Sequence, residues 1–138
     1  MSRAGYSDDC DTWSLIKWRG QVASAIRGRR GQAFLRELAH ALDAMPERRL
    51  IANELGSLNI ARRSYEVCAL GSVGARRGIR MEALDPYDCD KLADVFGIAH
   101  QLVREIEYMN DEAYYGMTPE GRWLFIRDWV RANIKATP

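Results

Sequence analysis

The chain has 138 residues, of which 47% are hydrophobic and 28% charged, and its formal net charge is +1. This composition is that of an ordinary globular protein, and no apolar run approaches the roughly 18 residues that a membrane span requires. The first residues, MSRAGYSDDCDTW, contain no apolar stretch with a cleavage site, so we expect no secretory signal and a cytoplasmic protein. Three widely spaced cysteines, Cys10, Cys68 and Cys89, favour free thiols over a disulfide framework.

Two amphipathic helices are predicted at the start of the chain. The first covers about residues 9–27, with Ser7 or Asp8 as its cap and Gly28 at its end. The second follows directly and ends before Pro46, because the residue before a proline disfavours helical geometry. We expect both helices to pack into the core. Their apolar stripes are Leu15, Trp18, Val22 and Ile26 in the first helix, and Phe34, Leu35, Leu38, Leu42 and Met45 in the second.

The signals between Leu50 and Ile79 are mixed. The stretch RLIANELG is typical of a short helix that ends at Gly56, and the stretches SLNI and SYEV can pair as a small hairpin across ARR. The stretch CALGSVGARRG contains too many glycines for a long helix. The middle third is therefore the part of the chain that the sequence defines least.

Three more helices are predicted in the last third. The first begins with Asp85 as N-cap, Pro86 at the first helical position and Asp88 in the first turn, and it ends near Gly97. The third begins at Thr118, followed by a proline and a glutamate. The apolar stripes of the second and third are Ile98, Leu102, Ile106 and Met109, and Trp123, Phe125 or Ile126, Val130 and Ile134.

These elements together predict a mainly α protein. We expect one domain over residues 1–138, a bundle of about five helices, with room for one small β-hairpin in the middle third.

No sequence motif for catalysis is present. A Walker loop, a dinucleotide fingerprint, a Gly-x-Ser-x-Gly elbow and the zinc-hydrolase and deaminase signatures are all missing, so we predict no catalytic residues and no cofactor. His40 and His100, together with the cysteines, lack the close ligand pairs of structural zinc sites, which favours no metal site. A divalent-cation site, and with it a metal-dependent enzyme, stays open as an alternative. It would use the acidic groups Asp8, Asp9, Asp11, Asp111 and Glu112.

Positive and negative charges are unevenly distributed along the chain. Residues 1–16 carry one basic and three acidic groups, residues 17–80 carry thirteen and five, and residues 81–138 carry six and eleven. The corresponding net charges are −2, +8 and −5. Either the basic middle and the acidic C-terminal part attract each other in the folded protein, or each presents a face of its own to a partner.

The arginines are the strongest candidates for binding. Arg outnumbers Lys seventeen to three, and the segment AIRGRRGQAFL places several arginines at a glycine-led helix start. Guanidinium groups suit bidentate contacts with phosphate or carboxylate, and the helix start adds backbone amides. Composition bias that leaves arginines on solvated loops is the alternative interpretation. The best single patch consists of Arg27, Arg29, Arg30, Arg36, Arg76, Arg77 and Arg80.

Two nucleic-acid-binding motifs match the sequence in part. The spacing of Ala52 and Gly56 is that of a helix-turn-helix, but Arg62 occupies a position that should be buried and apolar. The stretch ALGSVGARRGI contains a Gly-x-x-Gly that, with Arg76 and Arg77, resembles the KH loop, although that fold needs a three-stranded sheet. Both motifs stay open as minor alternatives.

Four tryptophans lie in the two terminal helices, namely Trp13, Trp18, Trp123 and Trp129. Two per helix exceed what one small core usually needs. Core packing is the more frequent use of tryptophan, and the alternative is that one of each pair is exposed, as at protein interfaces.

Three segments resemble a family of small proteins of unknown function that tailed bacteriophages and prophages of Gram-negative bacteria encode. The segments are GYSDDCDTWSLIKWRGQVASAIRGRRGQAFLRELAHALDAMPERRLI, EVCALGSVGARRGI and TPEGRWLFIRDWV, and the resemblance is weakest across residues 53–65. It implies no catalytic or binding residues. It implies a phage accessory protein, and such a protein is most often a non-enzymatic binder of a host or phage macromolecule.

We therefore expect a non-enzymatic protein that binds a host protein complex in the host cytoplasm. A nucleic-acid-handling or defence complex such as a CRISPR effector is the expected kind of partner, because the divided charge and the surplus tryptophan suit protein docking. Direct binding of DNA or RNA through the basic residues 17–80 is the alternative. No membrane is expected as a partner, and the sequence does not indicate the oligomeric state.

Overall fold

The computed structural model describes residues 3–4 and 12–136. Six α-helices, one short 3-10 turn and one antiparallel hairpin make up this part of the chain, so the prediction of a mainly α protein is confirmed. No helix in these ranges is long and apolar enough to cross a bilayer. The helices are α1 (Thr12–Arg27), α2 (Arg29–Asp43), α3 (Ala69–Arg76), α4 (Cys89–Phe96), α5 (His100–Asp111) and α6 (Pro119–Asn133), and the strands are β1 (Gly56–Asn59) and β2 (Ser64–Val67).

Helix α2 lies between α3 and α6, and helix α5 lies between α1 and α4. The predicted stripe of α2 is buried at Phe34, Leu35, Leu38 and Leu42, because these positions recur on one side of the helix. The indole of Trp123 in α6 is buried against them and donates a hydrogen bond of 3.2 Å to the carbonyl of Leu42. One hydrophobic cluster joins residues of α2 through α6.

Helix α1 packs less completely than its stripe predicts. Val22 is buried, but Leu15 is 46% exposed, and Trp13 and Ile16 beside it are exposed as well. The reason is that α1 contacts α5 through residues that follow Leu15. Arg19 donates a hydrogen bond to Glu105, and the side chains of Gln21 and Gln101 are hydrogen-bonded. The predicted caps Ser7 and Asp8 fall outside the described residues.

The predicted hairpin is confirmed, but the predicted helix before it is wrong. β1 and β2 pair with Leu58 opposite Tyr65. Residues 50–55 form an extended segment with bends. Its amides find partners in other elements, since the Leu50 amide donates to the Pro119 carbonyl and the Ile51 amide donates to the Val67 carbonyl. These tertiary hydrogen bonds replace the local ones of a helix.

The start of α4 also differs from the prediction. Asp88 is the N-cap, and its carboxylate accepts a hydrogen bond from the Lys91 amide. Asp85 instead accepts from the amide of Tyr87 within the preceding turn. Two other predicted boundaries are confirmed, because Gly97 ends α4 with φ of 71° and Thr118 caps α6.

Gly31 allows a close crossing of α1 and α2. A Cβ at this position would lie 1.9 Å from the carbonyl oxygen of Ala25, so the two helices would have to move apart. We expect Gly31→Ala to lower the free energy of unfolding by about 2–3 kcal/mol, measured by urea denaturation. Gly20→Ala in α1 is the matched control, because no atom lies within 4 Å of its Cβ position. It should raise the free energy of unfolding by about 0.5–1 kcal/mol, and equal effects of the two changes would contradict the close crossing.

Candidate functional site

The structure places the seven predicted arginines in two neighbouring groups. Arg27, Arg29, Arg30 and Arg36 lie at the junction of α1 and α2 and along α2, and the other three lie at and beyond the end of α3. The guanidinium of Arg77 lies 5.9 Å from the ring centroid of Phe34, which is about one helical turn from Arg30. The two groups therefore adjoin each other across the contact of α2 with α3.

Arg77 has a structural partner within the protein. Its Nε and Nη2 donate to the two carboxylate oxygens of Glu37 at 2.8 and 2.6 Å, and this hydrogen bonding lowers the pKa of Glu37. Its Nη1 also lies 3.5 and 3.4 Å from the carbonyl oxygens of Val95 and Phe96 at the end of α4. Arg77 thus ties three helices together.

Arg80 is paired too, through a contact of 3.3 Å with Glu82 in which both side chains are exposed. Exposed pairs of this kind are weak and exchange readily with solvent. Arg77 and Arg80 are thus the two predicted residues whose charges are already compensated by carboxylates of this chain.

The other predicted arginines have no carboxylate ion pair within the described ranges. Arg36 donates from Nη2 to the carbonyl of Lys135 at 3.0 Å, and the Lys135 ammonium donates to the carbonyl of Arg27 at 2.8 Å. Lys135, which the sequence did not single out, thereby joins the arginines. We call these arginines, together with Lys135, the α2 basic surface. Its members are Arg27, Arg29, Arg30, Arg36, Arg76 and Lys135. The charge of Arg76 helps to lower the pKa of Glu37.

The solvent-facing side of α2 carries much of this surface. Arg29, Ala33, Arg36 and His40 recur at spacings of four, three and four residues, and none of them is buried. Gly28 provides no side-chain cap for α2, so the positive end of the helix dipole adds to the same potential.

The acidic C-terminal part of the chain neutralises only some of the basic middle. The arginines of the middle form four ion pairs with acidic groups of the same segment, among them Arg62 with Glu47 and Arg77 with Glu37. In the described ranges three pairs join them to acidic groups of the C-terminal part, namely Arg19 with Glu105, Arg49 with Glu120 and Arg80 with Glu82. None of these three involves a residue of the α2 basic surface. The acidic part of the chain therefore does not cover the α2 basic surface.

A second polar cluster is buried where the N-terminal segment meets α5. The Arg3 side chain is 1% exposed, and it donates from Nε and Nη2 to the Asp111 carboxylate at 2.5 and 2.9 Å. Its Nε also lies 3.1 Å from the Glu107 carboxylate, so two carboxylates share one guanidinium. Burial raises the pKa of Glu107 to about 7 against the attraction of Arg3.

Cys89 borders this cluster, with its thiol 3.5 Å from Glu107 Oε1. Burial and the charge of Glu107 raise the pKa of the Cys89 thiol to about 11. The thiol is therefore protonated at neutral pH and a poor nucleophile.

Asp111, one member of the cation site that the sequence left open, has partners within the protein. The Asp111 carboxylate is engaged by Arg3, by the Asn53 amide and by the Asn110 side chain. Within the described ranges, no three histidine, cysteine, aspartate or glutamate side chains converge as metal ligands. Asp8, Asp9, Asp11 and Cys10, which the same hypotheses invoked, lie outside these ranges.

Both partial nucleic-acid-binding motifs are wrong. Ala52 lies in a bend and Gly56 begins β1, so no helix-turn-helix forms there. The Gly-x-x-Gly from Gly71 to Gly74 lies inside α3 and is buried, which leaves no loop to clamp a backbone.

A shallow groove of about 540 Å³ lies between α1 and the start of α5. Its lining offers a lysine, two amides and a hydroxyl, but no carboxylate, imidazole or thiol for acid–base or nucleophilic chemistry. The lining residues are Lys17, Gly20, Gln21, Ser24, Ala25, Ala99 and Gln101.

The tryptophans divide unevenly between core and surface. Trp13 is 65% exposed and Trp123 is 1% exposed, while Trp18 and Trp129 are partly buried. One tryptophan is thus exposed in α1, as the alternative to core packing proposed, whereas in α6 core packing holds, because Trp123 is buried and Trp129 packs against the core.

Comparison with protein-family models, with curated proteins and with solved structures gave no match.

Proposed function

We propose that this protein acts by binding, and that its α2 basic surface docks on an acidic surface of a host macromolecular complex. The observation that supports this proposal is a set of basic groups on one exposed side of the fold without carboxylate partners in the described ranges. The resemblance to phage-encoded proteins suggests a partner in the host cell. A defence complex such as a CRISPR effector is the kind of partner that we propose.

The charge pattern around the surface favours a protein partner over a bare phosphate backbone. Glu37 lies within the exposed side of α2, and Asp43 borders it beside Arg131. A mixed pattern complements a protein surface that carries both signs, whereas carboxylates beside a phosphate backbone repel it. Direct binding of DNA or RNA is therefore the second candidate, and the guanidinium groups of Arg29 and Arg30 are the feature that favours it.

The test compares two variants with the same loss of charge. Arg29→Gln/Arg30→Gln removes two members of the α2 basic surface, and Arg62→Gln/Arg80→Gln removes two arginines that pair with Glu47 and Glu82. In quantitative affinity capture from host lysate, the wild type and the control variant should retain one defined complex. The first variant should retain about tenfold less of it, because each lost charge contact weakens the complex.

The nucleic-acid alternative is measured in parallel. The wild type is titrated with fluorescent DNA and RNA of about 20 nucleotides at salt concentrations of about 50 and 200 mM. Tight binding that falls steeply with salt and needs Arg29 and Arg30 would replace the proposal by direct nucleic-acid binding. If the protein retains no complex and shows no nucleic-acid binding that depends on these arginines, both proposals are overturned.

A further inference from the structure

The outer part of the β1–β2 hairpin turns an apolar face to solvent, whereas Val67, on the same face at the base, is buried. Leu58 and Tyr65 are cross-strand partners, so their side chains share one face, and they are 63% and 50% exposed. Ile60, the first residue of the turn, is 82% exposed. The opposite face carries Glu66, which is buried and accepts hydrogen bonds from Asn59 and Arg49. A hairpin that packs on a core normally has the reverse arrangement.

The ring of Tyr65 extends this apolar face toward the base of the hairpin. It covers Gly56, where an added Cβ would lie only 2.3 Å from the tyrosine hydroxyl oxygen. Glu54 lies two residues before β1 and is exposed, so it brings a negative charge to the base of the hairpin. Burial, and then the charges of Glu82 and Glu54, raise the pKa of Tyr65, although Glu82 is itself paired with Arg80.

The tip of the hairpin carries the opposite charge. Arg63 lies in the turn with φ of 54° and is exposed. Arg62 beside it pairs with Glu47, but no ion pair holds Arg63 or Glu54 within the described residues. The apolar face thus has an uncompensated cation at one end and an uncompensated anion at the other.

We propose that this face binds a second copy of the same chain, with the two hairpins antiparallel across a two-fold axis. Such an axis brings the two apolar faces together with the Leu58–Tyr65 pairs near the centre, and it places the tip of each hairpin, with Ile60 and Arg63, over the base of the other, with Glu54. A surface with charges of opposite sign at its two ends is complementary to itself only in this orientation. The contact is small, so the dimer is weak and concentration-dependent. The inference does not depend on the α2 basic surface.

Analytical ultracentrifugation from about 1 µM to 1 mM tests the proposal, because these concentrations bracket weak dimers. The wild type should pass from monomer to dimer. Leu58→Thr/Ile60→Thr keeps β-forming residues but removes apolar area, and it should raise the dissociation constant at least about tenfold. Leu124→Gln, which changes an exposed leucine of α6, is the matched control and should leave it unchanged.

A charge exchange tests the orientation. Arg63→Glu and Glu54→Arg should each weaken the dimer about tenfold, and the double variant should restore it, a result that misfolding cannot produce. A monomer at all concentrations, or a dimer indifferent to Leu58 and Ile60, would overturn the proposal. Failure of the double variant to restore association would overturn the antiparallel arrangement. A monomeric protein that loses a different partner on hairpin substitution would show that a heterologous protein occupies this face.

Discussion

Replacing Arg3 by methionine is expected to lower the free energy of unfolding by about 3–5 kcal/mol at pH 8. The change keeps most of the side-chain volume but removes the one guanidinium that hydrogen-bonds the buried carboxylate of Asp111 and contacts that of Glu107. Without it, the ionised carboxylates lose the cation in direct contact with them in a site away from water. Urea denaturation followed by circular dichroism measures the loss.

The control is Arg80→Met, which removes another arginine that pairs with a glutamate. The side chains of Arg80 and Glu82 are 81% and 61% exposed, so their pair is largely solvated. We expect that change to cost less than about 1 kcal/mol. The cost of Arg3→Met should also shrink at pH 5, where Glu107 is protonated. A loss as small as that of the control would contradict a buried role for Arg3.

The second large effect is the dependence of stability on the protonation of Glu107. An unfolded chain releases this proton near the ordinary pKa of 4.5, whereas the folded protein retains it up to a pKa of about 7. Between these values the folded state binds more protons, so the free energy of unfolding falls as the pH rises. The contribution is complete below pH 4.5, is lost as the pH passes about 7 and amounts to about 3 kcal/mol.

Glu107→Gln removes this dependence, because an amide in the same place does not titrate. At pH 5 the variant and the wild type should have similar stability, and at pH 8 the variant should be more stable by up to about 3 kcal/mol. The difference between the two proteins, measured from pH 5 to 8.5, cancels the titration of all other groups. The groups that face Glu107 are Arg3, Arg104, Cys89 and Asp111. A variant less stable than the wild type at pH 8 would show that attraction to Arg3 outweighs the cost of burial.

Helix boundaries set by local chemistry were predictable from the sequence. Thr118 before Pro119 starts α6, and Gly97 ends α4, because each feature acts within one turn of its own residue. The segment from Leu50 to Leu55 was not predictable, since its amides bond to α6 and β2, which are distant in the sequence. The choice between Asp85 and Asp88 as the N-cap of α4 was not predictable either. It depends on the turn before the helix, in which Asp85 accepts a hydrogen bond from the Tyr87 amide.

The same distinction between local and distant contacts applies to the candidate sites. The neighbouring arginines at the start of α2 were visible in the sequence, but which arginines pair with carboxylates was not. Lys135 joins the α2 basic surface only because α6 returns beside α2. One feature of the sequence indicated the buried polar cluster around Arg3. Glu107 and Asn110 lie on the same side of α5 as the buried Val103. Polar residues at such positions indicate an internal network, although nothing in the spacing pointed to Arg3.

The pairing of Arg3 with Asp111 joins positions 108 residues apart, and Gln32 bonds to Asn133 across 101 residues. On the ribosome, the N-terminal helices therefore emerge long before the partners that hold them. The sides that pack on α5 and α6 stay uncovered until those helices are synthesised. Completion of the native structure therefore follows the synthesis of α6, and we expect slower folding than in helical bundles built from neighbouring segments.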